Sequence, residues 1–111
     1  MPGKFELSKT RNGKFKFNLK AGNGQIILTS KSYDDRRGAS NGIKSVRTNS
    51  AKDERFERKK SKKGDNYFVL KSSNGQTIAK SEVYSSAASV EKGIASVKKN
   101  AADGETKDLT K

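Results

Sequence analysis

The stretch "GNGQIILTSKSY", beginning at Gly22, returns as "SNGQTIAKSEVY", beginning at Ser73. The chain lies on itself at an offset of 51 residues without a gap. Phe5 meets Phe56 and Glu6 meets Glu57. Phe17 meets Phe68, Leu19 meets Leu70, Ser30 meets Ser81, and Tyr33 meets Tyr84. Further on, Gly42-Ile43 meets Gly93-Ile94, Ser45-Val46 meets Ser96-Val97, and Asn49 meets Asn100. Self-similarity at a fixed period means one structural unit made twice. Many intervening positions differ, so the matches mark what both copies need.

Each unit reads alike. "KFELSKT" sets Phe5 and Leu7 against Glu6 and Ser8, the alternation of a half-buried strand. Asn12-Gly13 follows, a dipeptide that suits a two-residue type I′ hairpin, which needs φ > 0 twice. "KFKFNLK" alternates again, with Phe15, Phe17 and Leu19 on one face and Lys16, Asn18 and Lys20 on the other. A second Asn-Gly, at 23–24, leads into a third strand of the meander. The period then changes. Ala39, Ile43 and Val46 are spaced i, i+4, i+7, as are Val90, Ile94 and Val97, which predicts an amphipathic helix in each unit. Asp34 and Ser85 stand where an N-cap belongs, and Asn49 and Asn100 where a left-handed C-cap would end the helix.

Gly42 and Gly93 lie inside the predicted helices, at a cost of ~1 kcal/mol each relative to Ala. They flank the apolar stripe, so close approach of helix to sheet explains them better than contact with a ligand. Tyr33 and Tyr84 precede the helices; packing over the helix–sheet edge accounts for them better than a substrate contact. "DERFERKKS" after the first helix and "GETKDLTK" after the second align with each other and with the N-terminal "GKFELSKT". The expectation is a β-β-β-α-β unit whose middle strand, around residues 53–60, both ends the first unit and begins the second. The repeats run 1–54 and 55–111 and together form one compact α+β domain. Its two helices cover one face of the sheet and leave the other open.

The pieces "NGQIILTSKSY", "NGIKSVRTNSA", "NGQTIAKSEVY", "KGIASVKKNAA" and "DLT" together resemble the YegP-like family, an uncharacterised group of small bacterial proteins. Lys92 departs from the pattern, standing where the first unit has Asn41. The resemblance spans essentially the whole chain. It implies two β3-α-β units joined into a single antiparallel-rich sheet, with C-terminal strands swapped between units. Members with one unit would reach the same sheet by dimerising, so a tandem is expected to be a monomer. The resemblance carries no known activity.

Composition narrows the chemistry. Only 30% of the 111 residues are apolar and 33% are charged, which allows a thin core of one helical layer on one sheet. Histidine and cysteine are both absent. The ordinary general base near neutral pH, the thiolate nucleophile and the commonest transition-metal ligands are therefore missing. Neither a phosphate-binding glycine loop nor a zinc-hydrolase or calcium-loop motif occurs. Asp34-Asp35 is an acidic doublet at a predicted helix start, and helix capping explains it better than a metal site, since the second unit has Ser85-Ser86 there. No catalytic, cofactor or metal residues are assigned. No apolar run reaches the ~18 residues of a membrane helix, and the opening "MPGKFELSKT" lacks an apolar signal segment, so a cytoplasmic protein is expected.

The formal net charge is +13. Two readings stand: simple solubility, or a polyanion such as nucleic acid or an acidic protein as partner. Two candidate binding surfaces follow. Lys16, Lys20, Tyr67 and Lys71 point to the open sheet face, where Lys with an aromatic can hold single-stranded nucleic acid. The run "RFERKKSKKG" supplies Arg55, Arg58, Lys59, Lys60, Lys62 and Lys63, which could grip phosphates or could guard a sheet edge against pairing. A structural or interaction protein is the leading reading, and a weak, sequence-nonspecific nucleic-acid binder is the alternative. A continuous positive stripe across the open face would favour the alternative.

Overall fold

A computed structural model describes residues 3–110. Met1, Pro2 and Lys111, at the outer limits of the two repeats, lie outside the described residues. Strands β1 (Lys4–Lys9), β2 (Phe15–Lys20) and β3 (Ile26–Ser30) form a meander that leads into helix α1 (Arg36–Asn49). A short 3-10 turn at Asp53–Arg55 precedes β4 (Phe56–Lys60). Strands β5 (Asn66–Lys71) and β6 (Thr77–Lys80), helix α2 (Ala87–Asp103) and β7 (Glu105–Asp108) complete the chain. All seven strands share one sheet in the order β4-β5-β6-β3-β2-β1-β7. No helix among the described residues is long and apolar enough to cross a membrane.

The two halves meet at β3 and β6, which pair through only Thr29–Lys80 and Ser30–Ala79. Thr29 and Lys80 occupy the same position in the two repeats, so the pseudo-twofold axis passes through that pair. The strand after α2 crosses to the first repeat and lies parallel to β1. The strand after α1 starts the second repeat and pairs with β5 alone, so the middle strand does not also close the first repeat.

The core forms where the alternation predicts. Phe5, Leu7, Phe17, Leu19 and Leu28 are buried beneath Ile43 and Val46 of α1 and Val90, Ile94 and Val97 of α2. Each such side chain contributes ~1.5–3 kcal/mol on leaving water. Phe5 meets Phe17 edge to face at 6.1 Å, and Phe56 meets Phe68 likewise at 5.8 Å.

Three local expectations are corrected. The hairpins are not type I′. Only the glycines take positive φ, from 80° at Gly13 to 88° at Gly64, and Asn12, Asn23 and Asn74 remain in the ordinary region. Each turn closes with the glycine N–H on a carbonyl three residues back, as Gly13 on Thr10, and the next residue pairs one position further on. This is the three-residue hairpin with a bulged glycine. The Asn oxygen is then free to accept from Gln25 N at 3.0 Å and Gln76 N at 3.2 Å.

The helix caps fall one residue later than expected. Asp35 accepts from Gly38 N and Ser86 from Ser89 N. The delay arises because Tyr33 and Tyr84 still exchange backbone bonds with Phe15 and Asn66, so another residue is needed to turn. Asn49 and Asn100 do not cap in the left-handed region; no residue but glycine does among those described. Both are buried, and their amides donate back to Ser45 O and Ser96 O at 2.8 and 2.7 Å. That bond keeps the chain helical, and α2 runs on past Asn100.

Candidate interaction surfaces

The repeated motif is absorbed by the fold itself. In "S-x-x-Y", the Ser30 hydroxyl accepts from Phe17 N at 2.9 Å and donates to Lys31 O at 2.7 Å. Ser81 does the same with Phe68 N and Glu82 O. Each serine thus replaces a ladder carbonyl where the chain bulges. Three residues later the tyrosine rejoins the ladder and lays its ring on the core, stacked on Phe17 for Tyr33 and on Phe68 for Tyr84. Burial raises both phenol pKa values. Gly42 lies against this stack. A Cβ there would sit 2.8 Å from Phe17 Cε2 and 2.9 Å from Tyr33 Cζ, closer than packed carbons tolerate. The close-approach reading of the glycine holds, as does the edge-packing reading of the tyrosine.

The open face carries Lys16, Lys20, Tyr67 and Lys71, as alternation requires, but it is laced with acid. Glu6 takes Lys20 at 2.9 Å and Lys4 at 3.5 Å. Its equivalent, Glu57, takes Lys71 directly and Lys59 at 3.7 Å. The hydrogen bonds from Lys20 and Lys71 are the main cause that holds both carboxyls below the usual glutamate range, against a smaller opposing effect of burial. Lys80 lies over the Tyr67 ring, 4.9 Å from its centroid, so the one exposed-face tyrosine already has a cation on it. Lys16 has no ion pair among the described residues and stands opposite Ser8. Across the sheet from β4 to β7, one row reads Glu57, Val69, Lys80, Thr29, Asn18, Glu6, Lys107. Negative and neutral positions break it, so this row is not a continuous positive stripe.

The basic run is likewise divided. Arg58 turns to the helix side and makes a two-pronged pair with Glu91 of α2 at 2.7 and 2.8 Å. Lys59 lies opposite Tyr67 on the open face. Lys60 ends the strand, Lys62 and Lys63 ride the following hairpin, and Arg55 belongs to the preceding 3-10 turn. Arg55 Nε is buried with no acceptor among the described residues.

A groove of about 410 Å³ opens where β3 and β6 part. Its lining includes Thr29, Ser30, Lys31, Ile78, Lys80 and Ser81, without a carboxylate, and both serine hydroxyls are already engaged. Among the described residues no group of acidic side chains could hold a metal ion. The features that sequence reading missed are the serine bulge and the guanidinium of Arg47. The latter donates to Gly104 O at 2.6 Å and Thr106 Oγ1 at 3.2 Å, fastening β7.

A family model described as "Domain of unknown function (DUF1508)" matches residues 11–57 and again 61–108. The chain belongs to this family, as a tandem of two copies. The match frames each copy as two strands, a helix and a strand, and leaves β1 before the first copy. The UPF0339 protein YegP of Escherichia coli is 50% identical over 110 residues, 99% of this chain and all of the relative. A UPF0339 protein of Mannheimia succiniciproducens is 48% identical over 98% of this chain and 96% of its own length. The solution structure of a Shewanella oneidensis UPF0339 protein, 49% identical, superposes with a TM-score of 0.91 over 98% of this chain and 92% of that one. The solution structure of yegP from E. coli, titled a protein of unknown function, gives 0.92 at 50% identity over 98% and 94%. These relatives are uncharacterised, and none of their names indicates a catalytic activity.

Proposed function

We propose that this chain is a monomeric, non-catalytic interaction protein that offers a rigid charged sheet to a partner macromolecule. The observation that carries this reading is the fate of the repeated motif. Its serines, tyrosines, glycines and asparagines are spent on bulges, stacking, close approach and back-bonding. A catalytic site needs a nucleophile or base with a free reacting face and a convergent partner. The pairing of Glu6 and Glu57 with lysines and the Lys80 cover on Tyr67 weigh against a stacking platform for nucleic acid.

The test is a titration of labelled single-stranded and duplex oligonucleotides at low and physiological salt. This reading expects, at most, the weak, salt-sensitive binding of any basic protein, ~10⁻⁴–10⁻⁶ M at physiological salt. Tyr67→Ala should leave it unchanged. A loss of single-strand binding alone in Tyr67→Ala, by the ~1–3 kcal/mol of one stacked base, would overturn the reading in favour of the nucleic-acid alternative.

A further inference from the structure

We infer that the outer edge of β4 is a docking site for an extended acidic segment of another protein, which adds as an eighth, parallel strand. This rests on the interaction-protein reading and names the surface and the partner's chemistry.

The argument starts from equivalence. β1 and β4 occupy the same place in the two repeats, since Leu7 lies opposite Phe17 and Arg58 lies opposite Phe68. On its free side β1 takes β7 in parallel, and Leu7 O accepts from Leu109 N at 2.8 Å. β4 ends the sheet, and among the described residues no strand lies on that side. The carbonyl of Arg58 therefore faces outward where that of Leu7 is paired. A row of unpaired strand-edge groups is a template for another chain, and main-chain bonding there is how strand addition gains affinity.

The edge also carries the charges that stand beside β7 on β1. Along β1 the register sets Lys4 beside Glu105 and Glu6 beside Lys107. The equivalents of Lys4 and Glu6 are Arg55 and Glu57. A strand reading acid–Thr–Lys–acid, laid on β4 in the same register, would put its first acid beside Arg55, its Lys beside Glu57 and its second acid beside Arg58. The cation over the ring is reproduced too. Arg47 lies over Phe5 at 5.0 Å, and its equivalent Lys98 over Phe56 at 5.8 Å. Beyond this frame, β4 is more basic than β1: Arg58 and Lys59 replace Leu7 and Ser8. Those charges oppose the edge of a second copy, whose net charge is +13, and attract an acidic strand.

A second copy is also the poorer occupant on pairing grounds. Its own β7 could repeat on β4 the bonds it makes to β1 only by leaving its own β1, and that exchange gains no strand pair. A separate polypeptide gains one.

The experiment uses the full chain, uniformly ¹⁵N-labelled, and a synthetic peptide GETKDLT, the sequence that β1 accepts. Expected are shifts and slowed amide exchange confined to β4 and the Asp53–Arg55 turn. Replacing Glu105→Gln or Asp108→Asn in the peptide should weaken binding by about twofold to fivefold each, the worth of a solvent-exposed ion pair. A scrambled peptide of equal composition should not bind. Because only the peptide is varied, folding of the protein is never in question. Absence of binding at millimolar peptide would overturn the proposal. So would shifts centred on β1, which would mean displacement of β7, or protection of β4 amides that grows with protein concentration alone, which would make the occupant a second copy. None of these outcomes depends on the oligonucleotide titration, so the two readings fail separately.

Discussion

Alanine at Gly42 sets two effects of opposite sign against each other. In an open helix the change gains ~1 kcal/mol, because glycine loses more backbone freedom. Here the new methyl would stand 2.8 Å from Phe17 Cε2 and 2.9 Å from Tyr33 Cζ, with the Tyr33 hydroxyl closer still. The obstructing atoms are two ring carbons and the phenol oxygen of Tyr33. Phe17 is fully buried, and Tyr33 is stacked on it at 6.3 Å and held by two backbone bonds to Phe15 at 2.9 and 2.7 Å. Neither ring can swing aside without breaking that stack, so the overpacking cost should lie toward the upper part of its ~1–3 kcal/mol range. The net expectation for Gly42→Ala is a loss of ~1–2 kcal/mol. Urea unfolding monitored by circular dichroism measures it, with an unchanged slope as the check on two-state behaviour. Tyr33→Phe removes the nearest atom, so Gly42→Ala should cost less in that background; the double-mutant cycle isolates the clash. Gly93→Ala should behave alike, as its Cβ would lie 2.8 Å from Tyr84 Cζ and 3.1 Å from Phe68 Cε1. A higher urea midpoint for Gly42→Ala than for the parent would refute the reasoning.

Four further outcomes can be measured. Ser30→Ala and Ser81→Ala should each cost ~1–3 kcal/mol in urea unfolding, since the buried N–H of Phe17 or Phe68 loses its acceptor. A loss no larger than that of an exposed Ser→Ala control would mean that the bulge does not need the hydroxyl. Deleting residues 104–111 removes β7 and the anchors of Arg47, and should lower the melting temperature by several degrees and expose the edge of β1 to exchange; an unchanged melt would show that β7 adds nothing to stability. Stability should fall as pH drops below about 4.5, the ordinary glutamate value, because Glu6 and Glu57 have lowered folded-state pKa values and the benefit of their charged forms is lost on protonation through those values. The Glu6→Gln, Glu57→Gln pair should flatten that acid limb, and an unchanged limb would place the dependence elsewhere. Restoring β1's residues to the free edge, as Arg58→Leu with Lys59→Ser, should make sedimentation concentration-dependent at moderate salt; a strictly monomeric double variant would show that these charges do not guard the edge.

The sequence spoke most clearly where a residue's role is set by period. The alternation of Phe15, Phe17 and Leu19, and the i, i+4, i+7 stripe of Ala39, Ile43 and Val46, define the buried faces of β2 and α1 without tertiary information. Gly42 and Tyr33 were legible for a related reason: a glycine beside an apolar stripe leaves few explanations but crowding. What was not legible depends on bonds between residues whose separation carries no pattern. Asn49 reads as a left-handed cap because its side chain competes with the backbone, yet its buried amide donates back to Ser45, and α1 ends there with Ser50 still in the right-handed region. Asp34 and Asp35 are indistinguishable as caps until the Tyr33–Phe15 bridge is known to delay the turn. The basic run looks like one patch in one dimension, whereas strand alternation sends Arg58 to Glu91 and Lys59 to the opposite face.

The free edge follows from counting. Strands equivalent to β1 recur at β4 and β7, one before the first copy of the domain and one at the end of each. Two such strands begin a meander, β1 with β2 and β4 with β5, and so each has an edge to offer. Among the described residues only β7 follows a helix without starting another hairpin, so one such strand is available for two edges, and it goes to β1. The vacancy at β4 is therefore a property of a two-copy chain rather than an accident of its side chains. The side chains at that edge differ from those of β1 in the direction demanded by an edge that no strand of its own molecule covers. Where β1 carries Leu7 and Ser8 against a strand of its own molecule, β4 carries Arg58, held to Glu91, and Lys59. An apolar residue is safe beneath a permanent neighbour and hazardous at an open edge, and a fixed cation repels copies of a cationic chain while leaving an acidic strand free to approach.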